Sequence, residues 1–297
     1  MPHKPKAITA QISWLMPLSP TESPNFLAIT LQCLEKQTLK AKELVIAADG
    51  TLPYQLMRVI KNSPLPINLY LQDKSQGIGA TLREIAGNCQ GEFIIRIDSD
   101  DLYAPNHTEV IANALLKYRH CGVIGSQLIE IDIDRNWKTT TRQTPTSPFT
   151  AKKWLPWRNP LNHQTVAIRR KALIRAGGYR HAPGFEDWDL WLRIASNGYE
   201  LMSLPIYTAA ARVNNQHRQR RRGIHYFFKE CRFYIQQIKE GKIHIPIGLI
   251  ACMARLPWRL LPNTLFNWWM TSKLRGSPAI KTAWLSEFLT NKTGQGT

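Results

Sequence analysis

Three carboxylates stand close together in the stretch FIIRIDSDDLYAP, residues 93–105. Asp98, Asp100 and Asp101 follow apolar, β-favouring residues, and negative charge at the end of a buried strand is unfavourable without a positive partner. Two carboxylates separated by one residue suit a hard cation, because Mg²⁺ and Mn²⁺ prefer oxygen ligands and also bind phosphate oxygens. The spacing therefore favours a divalent metal, held by Asp98 and Asp100, that also binds a phosphorylated ligand.

Helix capping is the simpler interpretation of the same carboxylates. Asp is a good N-cap residue, and the start of a helix favours negative charge. A helix predicted to begin near Pro105 could use Asp98 or Asp101 in this way, and we assign the cap to Asp101. Capping explains one carboxylate more easily than three, so metal or nucleotide binding remains the prediction for Asp98 and Asp100.

A second acidic group occurs in GFEDWDLWLR, residues 184–193. Glu186, Asp187 and Asp189 precede an apolar helical stretch, where the helix dipole alone would favour them. In a partly desolvated pocket a carboxylate can also act as a general base that takes the proton of an attacking hydroxyl. Asp187 is the candidate base, and the spacing alone leaves both interpretations open.

Alternating strands and helices must position these acidic residues. Apolar runs predict strands at residues 8–16, 43–48, 67–72 and 93–97, and helical patterns predict helices at 24–37, 54–61 and 79–88. Such alternation indicates parallel βαβ units in an α/β fold. Ligands of these sheets bind beyond the carboxyl ends of the strands, so we expect Asp49 and Asp98 to converge on one crevice.

The sequence contains no glycine-rich phosphate loop. The segment GIGATL, residues 77–82, resembles the start of a dinucleotide-binding fingerprint, but Leu82 occupies the position of the third glycine. A GxxxxGK[ST] motif is also absent from the sequence. A bound nucleotide therefore needs another device to hold its diphosphate, and a divalent metal is that device.

Positive charge is concentrated towards the C-terminus. The chain has 297 residues and a net charge of +18, and residues 205–297 contain 15 Lys and Arg against three Glu. An anionic partner is expected, either nucleic acid or anionic lipid. Two apolar stretches, residues 243–254 and 260–272, are shorter than the roughly 20 residues that span a bilayer. They suit an interfacial position or helices packed on the core.

The cysteines and the N-terminus predict a cytoplasmic protein. The five cysteines are scattered, without a CxxC pair or a Cys/His metal spacing, so free thiols in a reducing compartment are expected. The first residues, MPHKPKAITAQISW, lack the apolar core of a secretory signal.

Four motifs, taken in order, resemble glycosyltransferase family 2 with the GT-A fold. They are ISWLMPLS with LQCLEKQTLKAKELVIAADG, then QGIGATLREIAGNCQGEFIIRIDSDD, then NPLNHQTVAIRRKALIRAGGY, and finally GFEDWDLWLRIASNGYELMSLP. The similarity continues through ARVNNQHRQRRRG and extends over about residues 8–275. It is greatest to the amylovoran-type transferases that build bacterial exopolysaccharide and capsule units.

The resemblance implies an inverting glycosyltransferase. Its GT-A catalytic domain would occupy residues 1–215, with a mostly parallel central sheet, and a basic helical extension would occupy residues 216–297. The donor would be a nucleotide-diphosphate sugar, UDP-linked in our prediction, with galactose, glucose and N-acetylhexosamine all compatible. The acceptor would be a saccharide or lipid-linked saccharide in exopolysaccharide, capsule or O-antigen synthesis. A Mn²⁺ or Mg²⁺ cofactor and peripheral contact with the anionic inner face of the plasma membrane are also expected.

The resemblance also implies roles for individual residues. The nucleotide-sugar set is Pro17, Ser19, Asp49, Arg83 and Asp98, the metal set is Asp98, Asp100 and His217, the acceptor residue is His163, and the catalytic residues are Asp187 and Glu186. Two positions depart from the family pattern. Glu84 stands where many members have Asn, and Asn214 stands where many have a metal-reaching His. His217 is then either the substitute ligand or an exposed loop residue.

Two other functions stay open on the sequence. A basic nucleic-acid-binding protein would explain the positive charge and the ten tryptophans, but no recognition motif is present and the acidic strand ends stay unexplained. We therefore expect no nucleic acid partner. A nucleotidyltransferase would need a glycine-rich phosphate loop near the first strand, which the sequence lacks.

Overall fold

The computed structural model of the protein describes residues 11–134, 136–214, 223–261 and 282–286. Within these residues a mixed nine-stranded sheet carries helices on both faces. The strands are β1 (Ile12–Leu18), β2 (Glu43–Ala48), β3 (Ile67–Leu71), β4 (Phe93–Arg96), β5 (Leu102–Tyr103), β6 (Cys121–Asp132), β7 (Lys138–Arg142), β8 (Ala167–Arg169) and β9 (Glu200–Val213). The helices are α1 (Pro24–Glu35), α2 (Tyr54–Lys61), α3 (Ile78–Ile85), α4 (His107–Lys117), α5 (Pro148–Trp154), α6 (Arg170–Arg175), α7 (Glu186–Ser196), α8 (Gly223–Lys239) and α9 (Ile245–Leu260).

The sheet consists of a parallel N-terminal half and a mixed C-terminal half. Its order is β3-β2-β1-β4-β8-β6-β9-β5, and β7 pairs with the second half of β6. Strands β3, β2, β1 and β4 are parallel neighbours, whereas β8 runs antiparallel to both β4 and β6. The predicted α/β class with a parallel βαβ core is confirmed. Because β2, β1 and β4 are parallel neighbours, Asp49 and Asp98 lie beyond the same edge of the sheet, as predicted.

The continuous apolar runs of the parallel strands arise because helices cover both faces of the sheet. In β1, Trp14 and Met16 face one core, and Leu15 faces the other. Helices α1, α2 and α4 cover the first face, and α3 together with α5–α9 contributes to the second. The strand period of two therefore distributes each strand between two cores.

The first strand begins and ends later than the sequence predicted. Residues 8–10 lie outside the described residues, and β1 extends to Leu18 because Pro17 and Leu18 pair with Ala47 and Ala48. Strand β4 pairs with β1 only as far as Leu15, so β1 has a ladder partner on one side alone at Pro17. A proline, which has no backbone N–H, is tolerated at such a position.

Helices α8 and α9 pack on the same core as α7. On α8, the Phe233 ring stacks on Phe185 at 4.9 Å between centroids and lies 4.9 Å from the Trp188 ring. Glu230, also on α8, accepts hydrogen bonds from Arg255 Nε at 3.1 Å and Arg259 Nε at 2.7 Å on α9. These contacts join the helices to one another and to α7. The predicted division of the chain at residues 215 and 216 stays a prediction.

The first of the two apolar stretches near the C-terminus forms a helix in the described part of the chain. Residues 243–254 fall largely in α9, whereas most of residues 260–272 lie outside the described part of the chain. Among the described residues, no helix has the length and apolar character needed to cross a membrane.

Candidate active site

The positive partner of the acidic strand end is an arginine in the strand itself. Arg96, the last residue of β4, is only 2% exposed, and its Nη2 donates to Asp98 Oδ1 at 2.6 Å. Its Nη1 donates to the backbone carbonyl of Ile97. Burial opposes the charge of Arg96, but its interactions with Asp98, Tyr179 and Tyr103 together outweigh burial and the pKa of Arg96 is raised. The apolar residues of β4 predicted the strand, but the role of Arg96, its one charged residue, was not predicted.

A second buried arginine holds the other end of the acidic turn. Arg212, near the end of β9, donates its backbone N–H to Asp101 Oδ1 at 3.3 Å and its Nη1 to the carbonyl of Asp100. Its guanidinium carbon lies 4.3 Å from the centre of the Phe26 ring. Burial lowers the pKa of Arg212, and the neighbouring Asp101 and Asp100 carboxyl groups oppose that effect. Arg212 thus ties β9 to the turn that follows β4.

The assignment of Asp101 as a helix cap is wrong. Helix α4 begins at His107 after Asn106, and Asp101 is a buried residue that binds β9 instead. Among the described residues, its Oδ2 has no hydrogen-bond partner. Burial, followed by the charges of Asp100 and Asp98, raises the pKa of Asp101 well above its usual value. A cap at the exposed end of a helix would not experience this desolvation.

Asp100 lies among other carboxylates at the mouth of the strand. Burial, then Asp98 and then Glu22, raises the pKa of Asp100 to about 7. Glu22 joins the group because its Oε2 accepts a hydrogen bond from Ser99 Oγ at 3.1 Å. Four carboxylates therefore face the guanidinium groups of Arg96 and Arg212, which leaves an excess of negative charge when all are ionised.

Several side chains of the predicted nucleotide set lie at the same edge of the sheet. Asp49 follows β2 and is 6% exposed. It accepts hydrogen bonds from Gln76 N at 2.7 Å, Ser75 Oγ at 2.8 Å, Gly77 N at 3.0 Å and Thr81 Oγ1 at 3.1 Å. Burial raises the pKa of Asp49, but these hydrogen bonds outweigh burial and the pKa is lowered. Asp49 therefore organises the loop before α3, and its contact with a nucleotide stays a prediction.

The other members of the predicted nucleotide set differ in their solvent exposure. Pro17 is buried in β1, and Ser19 follows the strand with its Oγ 2.8 Å from Thr21 Oγ1. Arg83 is exposed on α3 and lies 3.5 Å from Glu84, the residue that departs from the family pattern. Glu84 in turn accepts a hydrogen bond from Gln72 Nε2 at 2.6 Å.

The three acidic residues of the second motif face three different environments at the start of α7. Asp187 accepts hydrogen bonds from Asn159 Nδ2 at 2.5 Å and from its neighbour Trp188 N at 2.7 Å. Glu186 packs against Gly79 on α3, where an added Cβ would lie 2.5 Å from Glu186 Oε1. The absence of a side chain at Gly79 thus leaves room for the Glu186 carboxyl group, which explains this glycine of the GIGATL segment without a dinucleotide site.

Burial also changes the acidity of Glu186. Burial raises its pKa, backbone hydrogen bonds oppose the rise, and the charges of Asp187 and Asp189 add to it. Asp189 itself is fully buried and has a structural role. It accepts hydrogen bonds from Arg193 Nη2 at 2.7 Å, Gln237 Nε2 at 2.9 Å and Arg180 Nη2 at 3.2 Å. For Asp189, the interpretation based on the helix dipole is therefore replaced by a buried hydrogen-bond network that joins α7 to α8.

His163 and Tyr179 lie between the two acidic groups. His163 Nε2 is 2.8 Å from the Tyr179 hydroxyl. Burial, with the nearby charge of Arg96, lowers the pKa of His163 well below its usual value, so its ring is neutral. Burial raises the pKa of Tyr179 and Arg96 opposes it, while Asp187 and Asp98 are both near enough to raise it further. Gln164, the residue after His163, accepts a hydrogen bond from the Tyr103 hydroxyl at 3.3 Å, and that hydroxyl accepts from Asp98 N at 2.8 Å. Because Asn159 in the same loop holds Asp187, this loop connects the two acidic groups.

Asp98 and Asp100 are the candidate metal ligands among the described residues. Within them, no three His, Cys, Asp or Glu side chains are arranged to hold a metal ion by themselves. His217 lies outside the described residues, so its predicted role as a ligand stays a prediction. Asp98 and Asp100 lie at one strand end, where carboxyl groups outnumber guanidinium groups. Two carboxylates suffice for Mg²⁺ or Mn²⁺ when substrate phosphates and waters complete the shell.

Sequence patterns match known transferases over most of the chain. The family model described as Glycosyl transferase family 2 matches residues 21–178. An uncharacterized glycosyltransferase of Haemophilus influenzae is 31% identical over 86% of this chain and 96% of its own length. The UDP-Gal:alpha-D-GlcNAc-diphosphoundecaprenol beta-1,3-galactosyltransferase of Escherichia coli is 28% identical over 86% and 94%. The amylovoran biosynthesis glycosyltransferase AmsE of Erwinia amylovora is 29% identical over 84% and 94%.

Solved structures share the fold at low sequence identity. The mannosyltransferase PcManGT from Pyrobaculum calidifontis, in complex with GDP-Man and Mn²⁺, has a TM-score of 0.59 at 18% identity and covers 95% of this chain and 79% of its own. The TarS 1-349 structure from S. aureus in complex with UDP-GlcNAc has a TM-score of 0.55 at 16% identity, over 77% of this chain and 66% of its own. These likenesses establish the nucleotide-sugar transferase fold predicted from the sequence.

The hydrogen bonds to Asp49 predict a pH-dependent contribution to stability. Asp49→Asn should lower the free energy of unfolding near neutral pH by about 1.5–3 kcal/mol, the usual range for hydrogen bonds to a charged group. Because the folded-state pKa of Asp49 is lowered, its carboxylate stabilises the fold above the unfolded-state pKa of about 4. This stabilisation is lost as the pH falls through the folded-state pKa. Urea unfolding at several pH values would measure the difference between wild type and variant.

Asp73→Asn is the matched control, because Asp73 is exposed in the same loop. It should leave the stability unchanged at every pH. If the difference in unfolding free energy between wild type and Asp49→Asn increased as the pH fell, the lowered pKa of Asp49 would be contradicted.

Proposed function

The chain belongs to glycosyltransferase family 2 and is a glycosyltransferase, and on this premise we propose that it moves a sugar from a nucleotide-diphosphate donor to a saccharide acceptor with inversion. The names of its relatives support a UDP-linked donor and a saccharide or lipid-linked saccharide acceptor. One relative uses UDP-Gal and a diphosphoundecaprenol-linked GlcNAc, and another acts in amylovoran biosynthesis. We therefore place the reaction in exopolysaccharide, capsule or O-antigen synthesis, as the sequence predicted.

The loop of residues 159–166, which is linked by hydrogen bonds to both acidic groups, is the observation that carries this proposal. Asp98 and Asp100 lie at the carboxyl end of β4, and Asp187 lies at the start of α7. In the loop between them, Asn159 donates to Asp187 at 2.5 Å, and the Gln164 carbonyl accepts from the Tyr103 hydroxyl, which in turn accepts from Asp98 N. A sugar transfer needs charge stabilisation at the leaving diphosphate and a base at the acceptor hydroxyl. The two acidic groups supply these needs from separate elements of the fold.

The donor side of the proposed site carries a divalent cation. Asp98 and Asp100 are the proposed ligands of Mn²⁺ or Mg²⁺, and the excess of carboxylates over arginines at the strand end favours a cation there. When bound, the cation supplies Lewis-acid stabilisation to the leaving diphosphate. Asp49, Pro17 and Ser19 would line the nucleotide pocket, and Arg83 would approach the nucleotide from α3. The buried Arg96 fixes the orientation of Asp98 through their 2.6 Å hydrogen bond.

The acceptor side of the proposed site depends on Asp187. Its carboxylate takes the proton of the acceptor hydroxyl as that oxygen attacks the anomeric carbon, and attack from the face opposite the diphosphate inverts the centre. The transition state resembles an oxocarbenium ion, as in glycoside hydrolysis. Asn159 Nδ2 and Trp188 N hold the carboxylate, and Glu186 lies beside it. The neutral His163, hydrogen-bonded to Tyr179, would contact the acceptor.

Helix α9 supports peripheral contact with an anionic membrane. Ile245, Leu249 and Met253 recur at helical spacing with exposed fractions of 61%, 57% and 75%, and the neighbouring Ile250 is 56% exposed. An exposed apolar stripe beside a basic chain end is the pattern of a helix that lies in the membrane interface. Such contact at the cytoplasmic face would bring the enzyme to lipid-linked acceptors. We assign this contact to residues 216–297 and catalysis to residues 1–215.

Donor binding should depend on Asp100. A panel of UDP-linked and GDP-linked sugars should raise the thermal midpoint of the wild type in the presence of Mn²⁺, because ligand bound to the folded state alone stabilises it. Asp100→Ala should abolish this Mn²⁺-dependent shift. Glu200→Ala should keep it, because Glu200 is an exposed carboxylate at the start of β9, at the opposite edge of the sheet from Asp98. If no sugar nucleotide stabilises the wild type, the donor proposal fails.

Transfer should depend on Asp187 without affecting donor binding. Asp187→Asn keeps the size of the side chain but removes the base, and we expect the turnover number to fall by about 10²–10⁴-fold. The Mn²⁺-dependent thermal shift with the donor should persist. Radiolabelled sugar transfer to a diphosphoundecaprenol-linked saccharide would measure turnover. Transfer at the wild-type rate by the variant would show that another group is the base.

Membrane contact should depend on the apolar stripe of α9. Leu249→Glu combined with Met253→Glu should abolish co-sedimentation with vesicles of phosphatidylglycerol and phosphatidylethanolamine, because charged side chains resist transfer from water into the interface. Ile174→Glu is the control, since Ile174 is 57% exposed on α6. It should sediment like the wild type. Absence of wild-type protein from the vesicle pellet at low salt would contradict the proposal.

A further inference from the structure

A cavity of about 370 Å³ lies between α5, the loop that follows β7, and the middle of β9. It is separate from the acidic residues described above. The side chains that matter for its chemistry are Gln143, Thr144, Thr146, Thr150, Trp154 and Tyr207. The volume falls within the usual range of small-molecule sites.

The lining of this cavity is uncharged, although the protein has a net charge of +18. A fifth of the chain is Asp, Glu, Lys or Arg, yet every residue that lines the cavity in the described part of the chain is neutral. Trp154 and Tyr207 supply aromatic surface, and Gln143 and three threonines supply amide and hydroxyl groups. A phosphate, a nucleotide diphosphate or an anionic lipid headgroup would require a cation at such a site. Flat rings together with neutral donors and acceptors suit a neutral sugar, which has apolar faces and a hydroxyl rim.

The walls of the cavity are fixed by hydrogen bonds before any ligand binds. Gln127 Oε1 accepts from Thr144 N at 2.7 Å, and Gln127 Nε2 donates to the carbonyl of Leu204 at 3.0 Å. These bonds join the loop after β7 to β6 and β9. Gln143 Nε2 donates to the Tyr207 hydroxyl at 3.2 Å, which links two lining groups across the cavity mouth. Such preorganisation reduces the entropy that a bound ligand must offset.

The Trp154 ring is also held in place from outside the loop. The guanidinium carbon of Arg158 lies 4.1 Å from the centre of the ring, a cation–π contact. This contact supports one side of the ring and restrains its rotation.

Short covalent and hydrogen-bonded links connect the cavity to Asp187. The carbonyl of Leu155, the residue after Trp154, accepts a hydrogen bond from Trp188 Nε1 at 2.7 Å. Asn162 Nδ2 donates to the carbonyl of Arg142, the residue before Gln143, at 3.3 Å. Asn162 lies three residues after Asn159, which holds Asp187. The segment that holds Asp187 is therefore hydrogen-bonded to the start of the loop that lines the cavity.

We propose that this cavity binds a neutral hexose or N-acetylhexosamine unit of the acceptor, at a distance from the sugar that receives the new bond. The proposal rests on the proposed function, because a saccharide acceptor is its premise. Contact with a second sugar would select acceptors by their existing chain, while Asp187 acts only on the terminal hydroxyl. Such a subsite affects acceptor affinity and leaves the donor site unchanged.

Saturation-transfer NMR with the methyl glycosides of galactose, glucose and N-acetylglucosamine tests this inference. At least one glycoside should receive saturation from the wild type, and addition of UDP with the diamagnetic Mg²⁺, which addresses the donor site, should leave that signal in place. Trp154→Ala and Gln143→Leu should each reduce the signal at least threefold. Gln143 is exposed, so its variant tests the cavity even if Trp154→Ala fails to fold.

Phe149→Ala is the matched control, because Phe149 is 67% exposed on the same helix and does not line the cavity. It should keep the wild-type signal. In transfer assays, Gln143→Leu should raise the acceptor KM about tenfold with the donor KM unchanged. Displacement of the glycoside by UDP, or an equal loss of signal in Phe149→Ala, overturns the inference. A donor-dependent thermal shift without any glycoside signal also overturns it, while leaving the donor proposal intact.

Discussion

The ion pair between Arg96 and Asp98 is the constraint on which the arrangement of the site depends. The buried guanidinium at the end of β4 compensates part of the negative charge of the carboxylates that follow the strand. Arg96 is held by the sheet, because its backbone N–H donates to the carbonyl of Val166 at 2.9 Å. The same charge lowers the pKa of His163 and acts on Tyr179. One side chain therefore affects both the proposed donor side and the proposed acceptor side.

Helix geometry explains why the three acidic residues in the first turn of α7 have different environments. Successive residues of a helix point about 100° apart, so Glu186, Asp187 and Asp189 face different neighbours. Glu186 meets the glycine of α3, Asp187 meets the loop that carries Asn159, and Asp189 turns into the core towards Arg193. The buried network at Asp189 fixes the first turn of the helix. The position of Asp187 is consequently set by a neighbour that performs no chemistry.

The sequence predicted the parallel half of the fold well and the charge balance of the site poorly. Apolar runs place β2 and β4 within a residue or so of their observed bounds, because strands covered on both faces leave an unambiguous pattern. Strand order also indicated that Asp49 and Asp98 would lie beyond the same edge of the sheet. Arg96 was overlooked because its neighbours dominate the apolar pattern, although a lone charge in a buried strand is itself a signal of a partner.

Other features could not be predicted because they depend on contacts distant in sequence. Arg212 reaches the acidic turn only through the pairing of β5 with β9, and the role of Gly79 depends on a carboxyl group from α7. The C-terminal helices show the same dependence. Gln237 donates to Asp189 at 2.9 Å, and Glu240 Oε2 accepts from Arg180 Nη2 at 2.8 Å, so α8 is bonded to the helix that carries Asp187. If α9 lies on a membrane, this network fixes the orientation of the proposed base relative to the lipid surface from which an acceptor arrives.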